Sequence, residues 1–255
     1  MMTGEREKQL MEAADLLLDA RRTGAPIEDL PEALQPKDLD EAYALQDRIA
    51  EAYGEIGGWK IGAATAEATP VFAPMPLAWM AADGAVVGGV RRYRGLESEI
   101  AFLLGKNLPS KTTPYASEEV VSAIASCHPV IEVIESGLLD PLKAARLSMI
   151  GDLQMHGGFV YGPAVVDWQK IDFKTEHVSI AVDGMVRVER TGSNTSGDLM
   201  RLLPWLANEG SKRTGGLKAG QWVTTGSWTG VTSGDPGSAA DVKFSAAGEV
   251  HLRFE

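Results

Sequence analysis

The chain contains a single cysteine, Cys127. No disulfide can form within one copy, which excludes a disulfide-stapled secreted scaffold and fits a reducing compartment. Long hydrophobic runs are also missing. No segment approaches the ~20 apolar residues of a membrane span, and the opening MMTGEREKQL has no apolar signal core. No membrane partner is expected, and a cytoplasmic enzyme is the default. Basic residues are scarce: 24 Lys and Arg face 35 Asp and Glu, for a net charge of −11. Such a surface repels phosphate backbones and excludes nucleic acid as the expected partner. It leaves room for an anionic small molecule, because a bound divalent cation inverts the local field. Internal repeats and low-complexity segments are absent as well.

What is present is an ordinary globular composition, 44% hydrophobic and 23% charged over 255 residues. That length builds one large domain or two small ones. Apolar Leu10, Ala13, Ala14, Leu17 and Leu18 follow the three-and-four spacing of a helical face. Pro26, Pro31 and Pro36 then mark a connector. Asp38 or Asp40 is placed to cap a second helix running to Gly54. From Gly58 the texture becomes β-rich, with period-two alternation in VSIAVDG and MVRVER around an Asp183-Gly184 turn. Two helices interrupt it. One lies around SEEVVSAIAS with Ser117 as its cap. The other is LMRLLPWLANEGSKR, where Pro204 must kink the helix or sit in its first turn. The division expected is an N-terminal helical segment, residues 1–56, acting as a lid or oligomer contact, on a β-rich catalytic domain, residues 57–255.

Glu97 and Glu99 lie two apart in the strand-like GLESEIAFLLG, so both side chains share a face. Paired carboxylates repel unless something positive lies between them, and a hard divalent cation with oxygen ligands meets that need. Glu132, flanked by Ile131 and Val133, offers a third carboxylate at a position where an unpaired charge would be expensive. Glu135, three residues on, faces the other side of an ideal strand. Taken alone, a Glu-x-Glu strand is more often a solvated face than a metal site.

Six segments occur in order: GWKIG (58–62), ESEIAFLLGKNLP (97–109), PVIEVIES (129–136), GDLQMHGGFVYGP (151–163), WLAN (205–208) and LKAGQWVTTGSWTG (217–230). Together with the helical opening they resemble the 2-keto-4-pentenoate hydratase and 4-oxalocrotonate decarboxylase group of the fumarylacetoacetate hydrolase superfamily. The resemblance covers nearly the whole chain. It implies an α+β fold, a β-rich roll as catalytic core with an N-terminal helical segment. It implies Mg²⁺ or Mn²⁺ held by Glu97, Glu99 and Glu132, with Lys60 near the metal. It also implies a homo-oligomer, with association with a related decarboxylase or hydratase as a further option.

The chemistry implied is that of a small 2-oxo acid. Its C1 carboxylate and C2 oxygen chelate a metal, which stabilises negative charge on the C2 oxygen. Water addition to a 2-hydroxy-2,4-dienoate is the leading reading, in aromatic catabolism. The alternatives are decarboxylation of a 2-oxo-3-enedioate, C–C hydrolysis of an acylpyruvate, and a non-catalytic partner subunit. Lys60 is expected to move a proton if burial and a cation depress its pKa, or else to stay charged and pair with the substrate carboxylate. Asp152 and His156 are candidate catalytic residues, His156 because its ordinary pKa near ~6.5 suits a proton shuttle. Thr225, Gly226 and Ser227 of the TTGSWTG segment are expected near the substrate, with a plain hairpin turn as the bland reading. The GSNTSGD stretch, 192–198, is a substrate-side loop or a linker. Arg91, Arg92 and Arg94 either form a pocket for a second substrate carboxylate or only balance surface charge. Cys127 beside His128 is rejected as a nucleophile–base pair, since neighbours on a strand point opposite ways.

Two departures stand out. Leu153 follows Asp152 where relatives commonly carry Asn, and Glu135-Ser136-Gly137 stands where many relatives have Asp-Ser-Arg. The missing Arg implies that this protein handles its substrate differently if that Arg organises the site elsewhere.

Overall fold

The computed structural model describes residues 3–89 and 92–255. Arg91, a candidate for the cationic pocket, lies outside them. Helix α1 spans Gly4–Thr23; Thr3 Oγ1 accepts from the Arg6 N–H, and left-handed Gly24 closes the last turn on Ala20. After the proline-bearing connector, α2 spans Leu39–Glu51 and is capped by the Asp38 carboxylate at the Glu41 N–H. The apolar face expected of α1, with Ala13, Ala14 and Leu17, meets Leu45 and Ile49 of α2, and the two helices also bury Leu138 and Leu153. The helices are thus welded to the rest of the fold by a core of their own.

Among the described residues fifteen strands follow. They are β1 Ile56–Gly62, β2 Val71–Pro76, β3 Met80–Ala82, β4 Ala85–Val87, β5 Gly95–Leu104, β6 Leu108–Pro109, β7 Ile124–Ile134 and β8 His156–Tyr161. Then come β9 His177–Val182, β10 Met185–Thr191, β11 Gly216–Leu217, β12 Trp222–Thr224, β13 Thr232–Ser233, β14 Ala239–Phe244 and β15 Gly248–Phe254. The large sheet has the order β2-β1-β12-β5-β7-β8-β3, with β13 also paired to β5. A second sheet has the order β10-β9-β14-β15-β4, and β6 pairs with β11. The α+β class and the β-rich core expected from sequence are both present. Among the described residues no helix is long and apolar enough to cross a membrane.

The pleat of β5 divides the molecule. Leu96, Ile100 and Phe102 face the main core, which they share with Val178 and Ile180 of β9 and Val242 of β14. Ala101 and Leu103 face the other side with Met75, Val130 and Phe159. Glu97 and Glu99 fall in this second register, as their two-residue spacing requires. The β9–β10 hairpin turns at Asp183-Gly184, both left-handed at φ 52° and 75°.

Two helices differ from expectation. α3 covers only Ser117–Val121, and Ser117 is its first residue rather than its cap. The Glu119 carboxylate accepts from the Ala116 N–H instead, and the apolar residues from Ile124 onward enter β7 because they pair with β5. The 199–214 stretch is helical throughout but not uniform: a 3₁₀ turn, then Leu202–Trp205 in α form, then a π turn over Leu206–Gly210. Pro204 sits in the first α turn, where its missing N–H matters least.

Candidate metal centre

Two strands bring the acidic residues together. Glu97 of β5 lies directly opposite Glu132 of β7, and Glu99 is the next residue on the same face. One carboxylate oxygen from each of Glu97, Glu99 and Glu132 lies within 4.8 Å of the others. Glu132 is fully buried and Glu99 nearly so. Lys60, on β1, reaches the same face and donates to Glu132 Oε1 at 2.6 Å and to the Gln154 carbonyl at 3.0 Å. Thr224 Oγ1 and the Gly226 N–H both donate to Glu99 Oε2.

These side chains fit a divalent cation. Glu99 Oε1 and Glu132 Oε2 are buried with no hydrogen-bond partner among the described residues, and a buried carboxylate oxygen left so is costly. Three ionised carboxylates against one ammonium leave two negative charges, the complement of a divalent ion. All donors are hard oxygens, which suits Mg²⁺-like ions rather than soft ones.

The titration of the cluster says the same. Burial, then the charge of Glu132, pushes Glu97 up to about 7 against the pull of Lys60. Burial followed by Glu132 and Glu97 holds Glu99 well above the ordinary carboxylate range. Burial also works against ionising Glu132, yet Lys60 and His156 outweigh it and lower that carboxyl to about 2. For Lys60 the metal-free cluster favours the alternative of a retained charge. Burial does lower it, but Glu132, Glu97 and Glu99 together more than compensate, and the net direction is upward. Lys60 is therefore an ammonium.

His156 is fully buried and contacts Glu132 Oε1 through Nδ1 at 2.9 Å. Burial lowers its pKa against the pull of Glu132. A neutral imidazole facing an ionised carboxylate must donate, so Nδ1 carries the proton. Its Nε2 is buried without a hydrogen-bond partner among the described residues. Asp152 is also fully buried, and accepts from Ser136 Oγ and the Gly137 N–H through Oδ2 and from Arg21 Nε through Oδ1. Neither His156 nor Asp152 is among the residues that line the cavity beside the cluster.

Arg21 is the residue that sequence reading missed. A guanidinium reaches the 136–137 turn region from α1. A Cβ on Gly137 would lie 2.9 Å from the Leu17 carbonyl oxygen, so only glycine lets α1 approach this closely. Arg21 then binds Asp152 Oδ1 at 2.5 Å and the carbonyls of Glu135, Asp152 and His156 at 2.9–3.1 Å. It surrounds a run of three left-handed non-glycine residues, Leu153, Gln154 and Met155, each carrying a strain of roughly 1–2 kcal/mol. Helical periodicity marks Arg21 only as a polar residue of the last turn, and nothing local reveals a partner over a hundred residues away.

A cavity of about 750 Å³ opens beside the carboxylates, lined by Lys60, Glu97 and Glu99 among others. The 225–227 segment divides. Gly226, at φ 93°, and Ser227 line the cavity, whereas Thr225 is fully buried and hydrogen-bonds the Ile100 carbonyl. Part of the 192–198 stretch borders the cavity. Asn194 Nδ2 clamps the carbonyls of Thr225 and Gly226 at 2.6 and 2.9 Å, and Thr195 and Ser196 line the cavity. Two arginines line it too, but they are Arg146 and Arg190. Arg92 is spent on the Leu138 and Leu139 carbonyls, and neither it nor Arg94 reaches the wall. Glu135 accepts the Arg92 and Tyr93 N–H groups and stays outside the acidic cluster. Cys127 is fully buried, its thiol pushed up to about 12, and His128 is bound to Ser126 and to the Gly162 carbonyl.

No family model matches the chain. It is 23% identical over 260 residues to a 2-keto-4-pentenoate hydratase of Paraburkholderia xenovorans (strain LB400), covering 97% of this chain and 96% of the relative. Its fold superposes on the 4-oxalocrotonate decarboxylase of Pseudomonas putida G7, solved with magnesium and adipate, with a TM-score of 0.85 at 24% identity over 100% and 99% of the two chains. A fumarylacetoacetate hydrolase family protein of Yersinia pestis CO92 matches with a TM-score of 0.60 at 19% identity, over 77% of this chain and 91% of that one. Over nearly its whole length the chain is similar in sequence to 2-keto-4-pentenoate hydratases, and it shares the fold of 4-oxalocrotonate decarboxylase and of fumarylacetoacetate hydrolase-like proteins.

Proposed function

We propose that this protein is a Mg²⁺- or Mn²⁺-dependent hydro-lyase that adds water to a 2-hydroxy-2,4-dienoate of the 2-keto-4-pentenoate type. The observation that carries the reading is the cluster of three carboxylates, two of them with an orphaned buried oxygen, paired with one ammonium beside a cavity sized for a small acid that Lys60, Glu97 and Glu99 line. The homology to hydratases of this substrate class supports it.

Glu97, Glu99 and Glu132 are the residues that would hold the cation. A bound Mg²⁺ or Mn²⁺ would supply stabilisation of negative charge at the substrate's C2 oxygen. The chain's own groups do the rest. Lys60 keeps a proton at the cavity wall, available to the far carbon of the dienoate, and holds Glu132 in place. Protonation there gives an unsaturated 2-oxo acid, and water then adds at C4 to give a 4-hydroxy-2-oxo acid. His156 and Asp152 serve from behind the wall, His156 by orienting Glu132 and Asp152 by fixing the 136–137 turn. Gly226 and Ser227 border the substrate, and Thr225 anchors their loop to β5.

One observation favours a second reading. Arg146 and Arg190 line the same cavity and suit a second substrate carboxylate, which a 2-oxo-3-enedioate decarboxylase would need. The same charge stabilisation would accept electrons as carbon dioxide leaves. We also infer a homo-oligomeric, cytoplasmic enzyme, with residues 1–56 as a helical segment and 57–255 as the catalytic domain.

The test uses purified protein with Mg²⁺ or Mn²⁺ and two substrates, 2-hydroxypenta-2,4-dienoate and 2-oxohex-3-enedioate, with products followed by NMR and Glu99→Ala as control. The reading expects a 4-hydroxy-2-oxo acid from the first substrate, absent in the variant. Carbon dioxide from the second substrate alone would establish the decarboxylase instead. Turnover of neither would overturn both.

A further inference from the structure

Leu153, Gln154 and Met155 have φ of 51°, 53° and 65°. None is glycine, and L residues adopt this region singly rather than in runs. A run of this kind persists only where its surroundings over-determine it. Here Arg21 holds the carbonyls of Asp152 and His156 at either end, and the Glu135 N–H holds the Met155 carbonyl at 2.9 Å. Leu153 is fully buried in the helical core.

The purpose of the turn lies at its apex. The Gln154 carbonyl accepts from Lys60, and Gln154 is among the residues lining the cavity that Glu97 and Glu99 also line. Its Oε1 is buried with no hydrogen-bond partner among the described residues. An amide acceptor shielded from water and left unpaired is stabilised by any ligand that brings a donor. The 2-oxo acid reading supplies one, and this inference rests on that reading. Hydration turns a substrate without a donor at C4 into a product with a hydroxyl there. We propose that Gln154 is a specificity-determining residue whose Oε1 receives the hydrogen of the adding water and of the C4 hydroxyl it becomes, with Arg21 as the positioning residue that fixes the turn.

The test compares two ligands on the Mn²⁺-loaded protein, 4-hydroxy-2-oxopentanoate and 2-oxopentanoate, which differ only in that hydroxyl. Gln154→Gly removes the amide while glycine accepts φ near +53°, so the turn survives. Binding is measured by calorimetry, alongside Mn²⁺ affinity and melting temperature. The expected result is a roughly tenfold weaker Kd for the hydroxylated ligand only, with Mn²⁺ affinity unchanged. Arg21→Lys is expected to show the same selective loss in part. Equal affinities for both ligands in wild type and Gln154→Gly overturn the assignment of Gln154, as do equal losses for both ligands. Failure of wild type to bind either ligand overturns the 2-oxo acid reading itself, and this proposal with it.

Discussion

Lys60 Nζ lies 2.6 Å from Glu132 Oε1, an ion pair on the wall of the cavity with Glu132 wholly out of solvent. Removing one partner of such a pair leaves a buried charge uncompensated, which typically costs about 3–5 kcal/mol. Lys60→Met is expected to lower the melting temperature of the metal-free protein strongly. With Mn²⁺ present the loss should shrink, because the cation also compensates Glu132. Turnover should fall by roughly 10²–10⁴-fold if Lys60 moves the proton. Calorimetry with and without metal, together with steady-state kinetics, measures all three.

Metal binding should release protons. Burial and the neighbouring carboxylates push Glu97 up to about 7 and hold Glu99 well above the ordinary carboxylate range, so in the metal-free protein both favour protons that a cation must displace. A raised carboxyl pKa contributes stability that is present below the unfolded value of 4.5 and lost as pH rises through about 7. The metal-free protein should therefore lose this contribution between pH 4.5 and 7, the interval over which Mn²⁺ affinity climbs. Titrations at several pH values, in buffers of different ionisation heat, give the proton count. Glu97→Gln should reduce it.

Cys127 should be inert. Its thiol is fully buried and pushed up to about 12, so almost no thiolate exists at neutral pH. A thiol reagent is expected to react only after denaturation, and Cys127→Ser to retain turnover.

Arg146 and Arg190 separate the two chemistries. The Arg146→Ala/Arg190→Ala double variant is expected to raise KM for 2-oxohex-3-enedioate by about tenfold and leave that for 2-hydroxypenta-2,4-dienoate unchanged. Equal effects on both substrates would assign the pair to general electrostatics.

Much of this site is readable from local pattern. The two-residue spacing of Glu97 and Glu99 places both on one face of β5, and Glu132 stands out as a charge within the apolar run of β7. Caps and periodicity likewise give α1, α2 and the Asp183-Gly184 hairpin. What escapes is tertiary. Arg21 looks like a helix-end cation until Gly137 allows α1 against the 136–137 turn. Gln154 looks like a loop amide because a left-handed run has no signature without glycine. Arg92 and Arg94 are near Glu97 in sequence, yet neither lines the cavity, while Arg146 arrives from the short helix Arg146–Gly151 and Arg190 from β10. The direction of the Lys60 shift depends on three carboxylates from two other strands, so isolated burial gives the wrong sign.

The most direct measurement is Mn²⁺ binding to wild type and Glu99→Gln, followed by electron paramagnetic resonance with turnover recorded on the same samples. The account predicts one tight site per chain in wild type, activity rising with its occupancy, and affinity reduced by more than roughly tenfold in the variant. Absence of binding by wild type, or undiminished binding by Glu99→Gln, would contradict it.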